Sequence, residues 1–446
     1  MSATHPLMLD HPAPLARVAD RDISRRAFLA DVHALAGQLP EASAGFNLCT
    51  DRYHFAVAFA ALVLRGQINL LPPNRCRTTL AELAARFPDA HALVDSADVE
   101  IAAPCRWVDA AGLRTPETGT VPEIPLDQTA VLAFSSGSTG HPTAHARHWG
   151  ALVAVTRQAR ARFDLDRDPG QTLVATVPPQ HMYGLESTVL YALLGYSRLL
   201  ADCPFYPGDI HAALAEAGQA TLVTTPFHLN TCLRSPLDWP PTRRILCATA
   251  PLDPNLAARA ETGFHAPLRE IYGCTEAGAI ASREPTRDTT WMTYDGVILE
   301  RDPATGLARA QGPQHPDAVL LPDHIEPLDE RHFRMQGRLA DQLNIAGKRA
   351  SLAELNQRLN AIPGVEDGVF LAPAADPRSS HVQRLAALVV APGLSEQEIL
   401  TRLAESIDAV FLPRPLVRIE ELPRTATGKL PRERLLDLLA TQGECA

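Results

Sequence analysis

Six small or hydroxyl residues, Ser135-Ser136-Gly137-Ser138-Thr139-Gly140, follow the apolar run Ala130-Val131-Leu132-Ala133-Phe134. Glycines let backbone N–H groups face one centre, and hydroxyls add donors, so such a loop can wrap a polyphosphate. It is not a Walker loop, because no glycine is followed by Lys and Ser/Thr at the required spacing. It is not a nucleophilic-serine elbow either, since Ser135, Ser136 and Ser138 lack the Gly-x-Ser-x-Gly frame. On these residues alone, an ordinary turn leaving a strand remains the alternative. A second signal is scarcity: Lys348 and Lys429 are the only lysines among 41 basic side chains. Codon bias in a GC-rich genome accounts for the composition as a whole. At the surviving positions, a compact ammonium can be needed where a planar guanidinium does not fit. Lys429, in Thr427-Gly428-Lys429 between Pro423 and Pro431, is the stronger of the two.

The elements that must position these residues alternate. Arg26–Leu39, Arg52–Leu64 and Trp149–Phe163 have helical spacing, as does the stretch Ile210–Ala217. Ala92–Val94, Arg106–Val108, Leu173–Val177, Ala220–Thr224 and Arg244–Cys247 are short β-rich runs. The stretch Pro116–Pro125, rich in Pro, Thr and Gly, is a connector into the glycine loop. Strand–helix alternation of this kind predicts an α/β fold with mainly parallel sheets flanked by helices. From about Gly337 the texture changes. Leu352–Asn360 and Ser395–Val410 read as helices, Gly368–Leu371 and Ala386–Val390 as strands. The expected organisation is a large N-terminal domain, residues 1–336, and a small α+β C-terminal domain, residues 337–446, that carries Lys429.

Composition sets the outer limits. The chain has 446 residues, 46% hydrophobic and 21% charged, which suits a soluble enzyme with more than one domain. A formal charge of -10 argues against a nucleic-acid partner, which would call for clustered Lys and Arg. Met1–Pro14 has no basic stretch followed by an apolar one, so no signal peptide is expected. The longest apolar run, Phe55–Leu64, is too short for a bilayer and reads as a buried helix. The eight cysteines form no CxxC pair. They read as reduced thiols of a cytoplasmic protein without a membrane partner.

Four further segments follow the glycine loop in order: Pro179-Gln180-His181-Met182-Tyr183-Gly184, Tyr272-Gly273-Cys274-Thr275-Glu276, Gly337-Arg338-Leu339-Ala340-Asp341 with Gly347-Lys348, and Pro423-Arg424-Thr425-Ala426-Thr427-Gly428-Lys429. Together, over residues 130–434, they resemble the adenylate-forming superfamily of acyl- and aryl-CoA synthetases, luciferases and peptide-synthetase adenylation domains. The resemblance implies that a carboxylate attacks the α-phosphate of ATP, giving an acyl-adenylate and pyrophosphate. Both reactants are anions, so donors and Mg²⁺ must offset repulsion. By resemblance, Ser135, Ser136, Gly137, Ser138, Thr139 and Gly140 hold the β- and γ-phosphates. Thr275 bonds the α-phosphate, and Glu276 ligates Mg²⁺ together with phosphate oxygens. Thr249, Ala250, Pro251, Tyr272 and Gly273 pack around the adenine. Asp323 accepts from the ribose hydroxyls, with a solvated turn as its alternative, and Arg338 assists at ribose and phosphate. Lys429 is the catalytic lysine. His181 walls the carboxylate pocket, with Tyr183, Gly184, Phe227, His228 and Trp291 as candidate further lining; core packing is the default reading of the aromatics.

Two positions depart from the family pattern. Thr143 stands where the phosphate loop usually ends in Lys, and Arg147 is the nearest cation that could replace it. Ala340 stands where an Asp or Lys usually serves as the hinge of the mobile C-terminal domain. The leading expectation is an acid–thiol ligase whose acceptor is coenzyme A or the phosphopantetheine arm of an acyl carrier protein. The compact chain looks like the short synthetases that load aryl or acyl starters onto carriers. Five arginines and Lys429 between Arg414 and Arg434, against Glu420, Glu421 and Glu433, give a local basic excess. It could meet an acidic carrier protein or the CoA phosphate; a solvated face is the plainer reading. Transfer to an amine and a degenerate nucleotide-binding homologue are the competing functions.

Overall fold

The computed structural model describes residues 3–109, 120–136, 142–303, 305–338, 342–345, 348–372, 385–425 and 428–443. Its contacts divide the chain into one unit of Met1–Leu321 with Pro327–Phe333 and a second of Pro322–Glu326 with Arg334–Ala446.

The first unit holds two large sheets. One is six-stranded: β1 (Ala44–Asn47), β2 (Ile68–Leu71), β3 (His91–Val94), β4 (Cys105–Trp107), β5 (Thr129–Ser136) and β6 (Pro142–His148), in spatial order β6-β5-β2-β1-β3-β4. All neighbours are parallel except β5 and β6, which form an antiparallel hairpin with Pro142 opposite Ser136 and Thr143 opposite Ser135. The glycine loop therefore joins two paired strands. The sequence suggests a strand running through a loop towards a helix; β6 intervenes before that helix, Trp149–Arg162.

In the second sheet the consecutive strands are β7 (Thr172–Ala175), β8 (Arg198–Leu200), β9 (Thr221–Thr224), β10 (Arg244–Cys247), β11 (Leu268–Cys274), β12 (Gly278–Arg283) and β13 (Trp291–Thr293). Strands β8, β7, β9, β10 and β11 lie side by side and parallel; β12 and β13 continue the sheet antiparallel. A small antiparallel sheet of β14 (Ile298–Arg301), β15 (Ala308–Gly312) and β16 (His315–Leu320) completes the elements used below.

The apolar helix Arg52–Leu64 touches β1, β2 and β8, and so lies between the two large sheets. Every side chain from Phe55 to Val63 is fully buried, as an all-apolar helix requires. Asp51 caps its start by accepting from His54 N at 2.8 Å. The first helical residue, Arg52, is fully buried and donates to the carbonyls of Ala175, Val177, Leu200 and Asp202. One guanidinium thus satisfies orphan acceptors at the ends of β7 and β8.

The second unit is an α+β layer. Asp367–Leu371 pairs antiparallel with Ala386–Val390, which pairs parallel with Leu416–Arg418. Strand alternation sends Phe370, Ala387 and Val389 to a core with Leu355, Leu359, Ile399 and Leu403. Val369, Leu371, Leu388 and Val390 face the other way, onto Leu422 and Leu435. The helix expected over Ser395–Val410 is shorter. It runs Glu396–Ala404, and a 3₁₀ turn follows at Ala409–Phe411. Ser395 and Glu398 form a capping box at its start. Asp408 then accepts from Val410 N at 3.2 Å and opens a new element instead of continuing the helix.

The described cysteines, Cys49, Cys76, Cys105, Cys203, Cys232, Cys247 and Cys274, are free thiols. Among the described residues no helix is long and apolar enough to cross a membrane.

Candidate active site

Parallel strands deliver their following loops to one edge of a sheet, which is where α/β folds place ligands. In the second sheet, that carboxyl edge carries His181 after β7, His228 after β9, Thr249 and Ala250 after β10, and Tyr272 to Glu276 at the end of β11. Four segments picked out by sequence are thereby brought to one edge by topology alone.

The β11–β12 turn is built on two glycines. Gly273 sits at a register shift, and a Cβ there would lie 2.4 Å from the Gly278 carbonyl oxygen. Gly278 has φ +64, and its Cβ would meet Glu186 Oε1 at 2.5 Å and Arg147 Nη2 at 2.8 Å. Backbone leaves no room for a side chain at Gly273, and the positive φ at Gly278 would strain any other residue there. Thr275 and Glu276 occupy the turn between them, half-buried. The Glu276 carboxylate is 31% exposed, and His145 Nε2 lies 3.7 Å from its Oε1.

His145 belongs to β6 and so ties the glycine-loop hairpin to Glu276. Thr143, His145 and Arg147 alternate onto one face of that strand. Arg147 is not available as a replacement for a loop lysine. Its side chain is 1% exposed, and Nη1 donates to the Glu276 carbonyl at 3.3 Å with His315 Nε2 2.7 Å away. Burial lowers its pKa, with Glu186 acting in the opposite direction. The Ser135 and Ser136 backbones end β5; their side chains, and Gly137, Ser138, Thr139 and Gly140, lie outside the described residues.

Tyr272 is 7% exposed and packs edge-on against Trp291 and Phe333, each with ring centroids 5.8 Å away. Arg283 covers the Trp291 ring at 4.8 Å. Trp291 is taken up in this aromatic stack, in line with the core-packing reading of the aromatics. Thr249 has φ +85, a strained conformation for a β-branched residue. Three residues on, Leu252 N donates to the buried Glu270 Oε1 at 2.9 Å, and Arg283 Nε donates to Glu270 Oε2 at 2.6 Å. Glu270 therefore pins the Thr249–Leu252 loop and links it to the stack beneath Tyr272. Burial raises its pKa, while Arg283 opposes the shift.

On the acid side, Tyr183 Oη donates to Leu246 O at 2.8 Å and Thr224 O at 3.2 Å, capping β10 and β9. Gly184 is a close-approach glycine, since a Cβ would stand 2.0 Å from Pro178 O. His181 is half-buried at the start of the same short helix. His228 is 1% exposed. Its Nδ1 lies 2.9 Å from Thr225 Oγ1, its Nε2 has no hydrogen-bond partner among the described residues, and burial lowers its pKa to about 4. Phe205 and Phe227 pack on the ring at 5.0 and 5.3 Å. The result is a neutral imidazole in an aromatic setting, with one ring nitrogen uncommitted.

In the second unit, Lys429 is exposed and closes a tight turn. Thr425 N donates to Lys429 O at 2.8 Å, Lys429 N to Thr425 Oγ1 at 3.1 Å, and Gly428 N to Thr425 O at 2.8 Å, with Gly428 at φ +77. Arg424 is held on both carboxylate oxygens of Asp367, at 2.7 and 2.6 Å, and gives Nη1 to Gly428 O at 2.6 Å. Asp323 is 6% exposed and opens the strand Asp323–Pro327, so it is not a solvated turn. Arg338 ends the strand His332–Arg338, and its side chain lies outside the described residues, as do Ala340, Asp341, Gly347, Ala426 and Thr427.

Sequence reasoning passed over Glu186, Gly278, His315, Glu270 and the Asp367–Arg424 pair. Only Glu186 left a local trace, as a lone acid in the apolar stretch Met182–Leu194.

The family model for AMP-binding enzymes matches residues 56–301, more than half of the chain. A 3-hydroxybenzoate–CoA/4-hydroxybenzoate–CoA ligase from Thauera aromatica is 24% identical over 361 residues, covering 71% of this chain and 68% of the relative. The structure of ATP-bound MatB from Rhodopseudomonas palustris superposes with a TM-score of 0.81 at 18% identity, with 97% of each chain covered. The amide bond synthetase McbA from Marinactinospora thermotolerans gives 0.75 at 19% identity, over 96% of this chain and 97% of its own. At such identities the superpositions speak for a shared fold, a large N-terminal α/β part with a smaller C-terminal one. The span of the family match, with the five motifs in order, places this chain in the AMP-binding enzyme family.

Proposed function

We propose that this protein is an ATP-dependent carboxylic acid ligase that forms an acyl-adenylate and passes the acyl group to the thiol of CoA or of a carrier protein's phosphopantetheine arm. The observation that carries the reading is the shared sheet edge, where Thr275 and Glu276 stand with His181, His228 and the Thr249 loop, tied through His145 to the glycine-loop hairpin. A carboxylate oxygen attacks the α-phosphorus, the bond to the bridging oxygen breaks, and pyrophosphate leaves. The thiol then attacks the adenylate carbonyl and AMP leaves.

Each residue has a role suited to that chemistry. The Ser135–Gly140 loop holds the β- and γ-phosphates by hydroxyls and backbone N–H groups. Thr275 donates to the α-phosphate. Glu276 offers the carboxylate for the Mg²⁺ that arrives with ATP. A single, one-third-exposed carboxylate suits that ion, which is usually held by one or two carboxylates, water and substrate phosphates. The Thr249–Pro251 loop and Tyr272 border the adenine, with Asp323 and Arg338 assigned to ribose. Lys429 supplies a mobile ammonium to the carboxylate and ribose oxygens as charge builds on phosphorus. His181, Tyr183, Gly184, Phe227 and His228 serve the acid. The aromatic setting of His228 and the hydroxybenzoate relative favour an aryl acid with a polar substituent.

Pyrophosphate release tests the reading. Purified protein is given ATP, Mg²⁺ and a panel of aryl, short and long acids, with hydroxylamine as trap. Release with one acid class is the expected outcome. CoA, a phosphopantetheinylated carrier protein and simple amines are then offered as acceptors. A product with amine alone would favour the amide-forming reading that the McbA likeness keeps in view. ATP binding without release for any acid would mark a degenerate homologue.

A further inference from the structure

We propose that Arg147, Glu186 and His315 form a buried clamp that sets the Glu276–Ala279 turn, making them positioning residues for the Glu276 carboxylate against MgATP. The inference rests on the nucleotide reading above and assigns work to three side chains that reading leaves unused.

Three elements converge on consecutive peptide groups. From β6, Arg147 Nη1 donates to Glu276 O at 3.3 Å. From β16, His315 Nε2 lies 2.6 Å from Ala277 O, placed to donate to it. From the π-helical turn Leu185–Leu190, Glu186 Oε2 accepts from Ala279 N at 3.1 Å. The remaining tips, Glu186 Oε1 and Arg147 Nη2, flank the bare Cα of Gly278 and make no hydrogen bond among the described residues. Tyr191 and Tyr294 also face Glu186 as neutral phenols. The turn is therefore held from three sides, with a glycine at its centre whose positive φ and crowding by the Glu186 and Arg147 tips disfavour a side chain.

Stability does not explain this arrangement. Burying the opposite charges of Arg147 and Glu186 gains little over apolar residues of similar volume, and their unsatisfied tips add a cost. Its return is geometric. The two opposite charges both crowd the space where a Gly278 Cβ would stand, and Glu276 is the turn's first clamped residue. His145, from the same face of β6 as Arg147, meets the Glu276 carboxylate at 3.7 Å, so one strand orients both its main chain and its side chain.

The test uses the double variant Arg147→Met/Glu186→Leu, which removes both charges together, and Glu186→Gln, which keeps an acceptor for Ala279 N. Melting temperature reports folding. Calorimetric titration with MgATP and with Mg²⁺-free ATP reports binding without any need for the acid. Pyrophosphate release across a Mg²⁺ titration reports use. The double variant should melt near wild type while MgATP binds roughly ten-fold or more weaker, the usual scale for losing a group that orients a metal ligand. Mg²⁺-free ATP binding should change much less, and the Mg²⁺ half-saturation point should rise in step. Should the double variant not fold, Glu186→Gln carries the test through the same MgATP-to-ATP ratio. An unchanged ratio, or equal loss of both forms, overturns the clamp. Wild-type protein that binds MgATP but releases no pyrophosphate sinks the ligase reading and leaves the clamp standing on its binding result. Wild-type protein that binds no nucleotide overturns both.

Discussion

Asp367→Ala asks whether the Lys429 turn must be held from below. In the intact chain Asp367 takes two N–H groups of Arg424, and the same guanidinium reaches Gly428 O, one residue before Lys429. The pair is 21% and 26% exposed, so it is worth less than a fully buried one. A bidentate, charge-assisted pair with this much solvent contact contributes about 1–2 kcal/mol. Removing the carboxylate frees Arg424 to leave Gly428, and the turn then samples other conformations. Where the turn without this pair prefers other conformations, losing about 1–2 kcal/mol from the held geometry slows adenylation roughly 5- to 30-fold. The assay is single-turnover pyrophosphate release, set beside thioester formation from supplied acyl-adenylate. The first should fall and the second should hold, because Lys429 acts on the phosphate transfer. Asp367→Asn, which keeps one acceptor, should lie between. Equal loss in both half-reactions, or no loss in the first, would refute the reasoning.

Lys429→Ala should abolish adenylate formation while thioester formation from supplied adenylate persists; loss of both would show that its role is wrongly placed. Glu276→Ala should weaken Mg²⁺-dependent ATP use, and kinetics that do not change across a Mg²⁺ titration would remove the assignment. The buried imidazoles His91 and His228, 3% and 1% exposed, have pKa values lowered by burial to about 4 from 6.5. The unfolded chain therefore binds protons that the folded chain refuses between those values, so this stability is complete above about pH 6.5 and is lost as pH falls towards 4. Each imidazole accounts for about 3 kcal/mol across that window. Urea unfolding at pH 7.5 and 5.0 should show His91→Asn losing less stability than wild type on acidification. Parallel pH slopes would contradict it.

What the sequence made legible is what few consecutive residues can encode. The runs Leu173–Val177, Ala220–Thr224 and Arg244–Cys247 read from β-rich composition as strands, the first ending at Ala175 in the structure; Leu268–Cys274 is not among the runs so read, and parallel topology brings the loops of all four to one edge. The apolar helix Arg52–Leu64 was equally plain, because nothing but a core can cover it. The clamps were not legible, because their partners are remote. Ala279 meets Glu186 across 93 positions, Arg147 meets Glu276 across 129 and His315 across 168, and Arg424 meets Asp367 across 57. An arginine on an alternating strand has the same spacing whether it faces solvent or a buried acid. That is why Arg147 read as a spare cation for the phosphate loop.

Trp291 takes the core-packing reading, and Arg283 lies over its face because Glu270 holds that guanidinium while also fixing Leu252 N. One buried acid thus sets the Thr249 loop above and the ring stack below Tyr272. If the adenine binds there, Glu270→Gln should weaken ATP and AMP binding alike, since it disturbs a surface common to both. The Glu276 clamp should instead discriminate by Mg²⁺. The two networks make opposite demands on the same titrations, so a variant in either one reports which part of the nucleotide it supports.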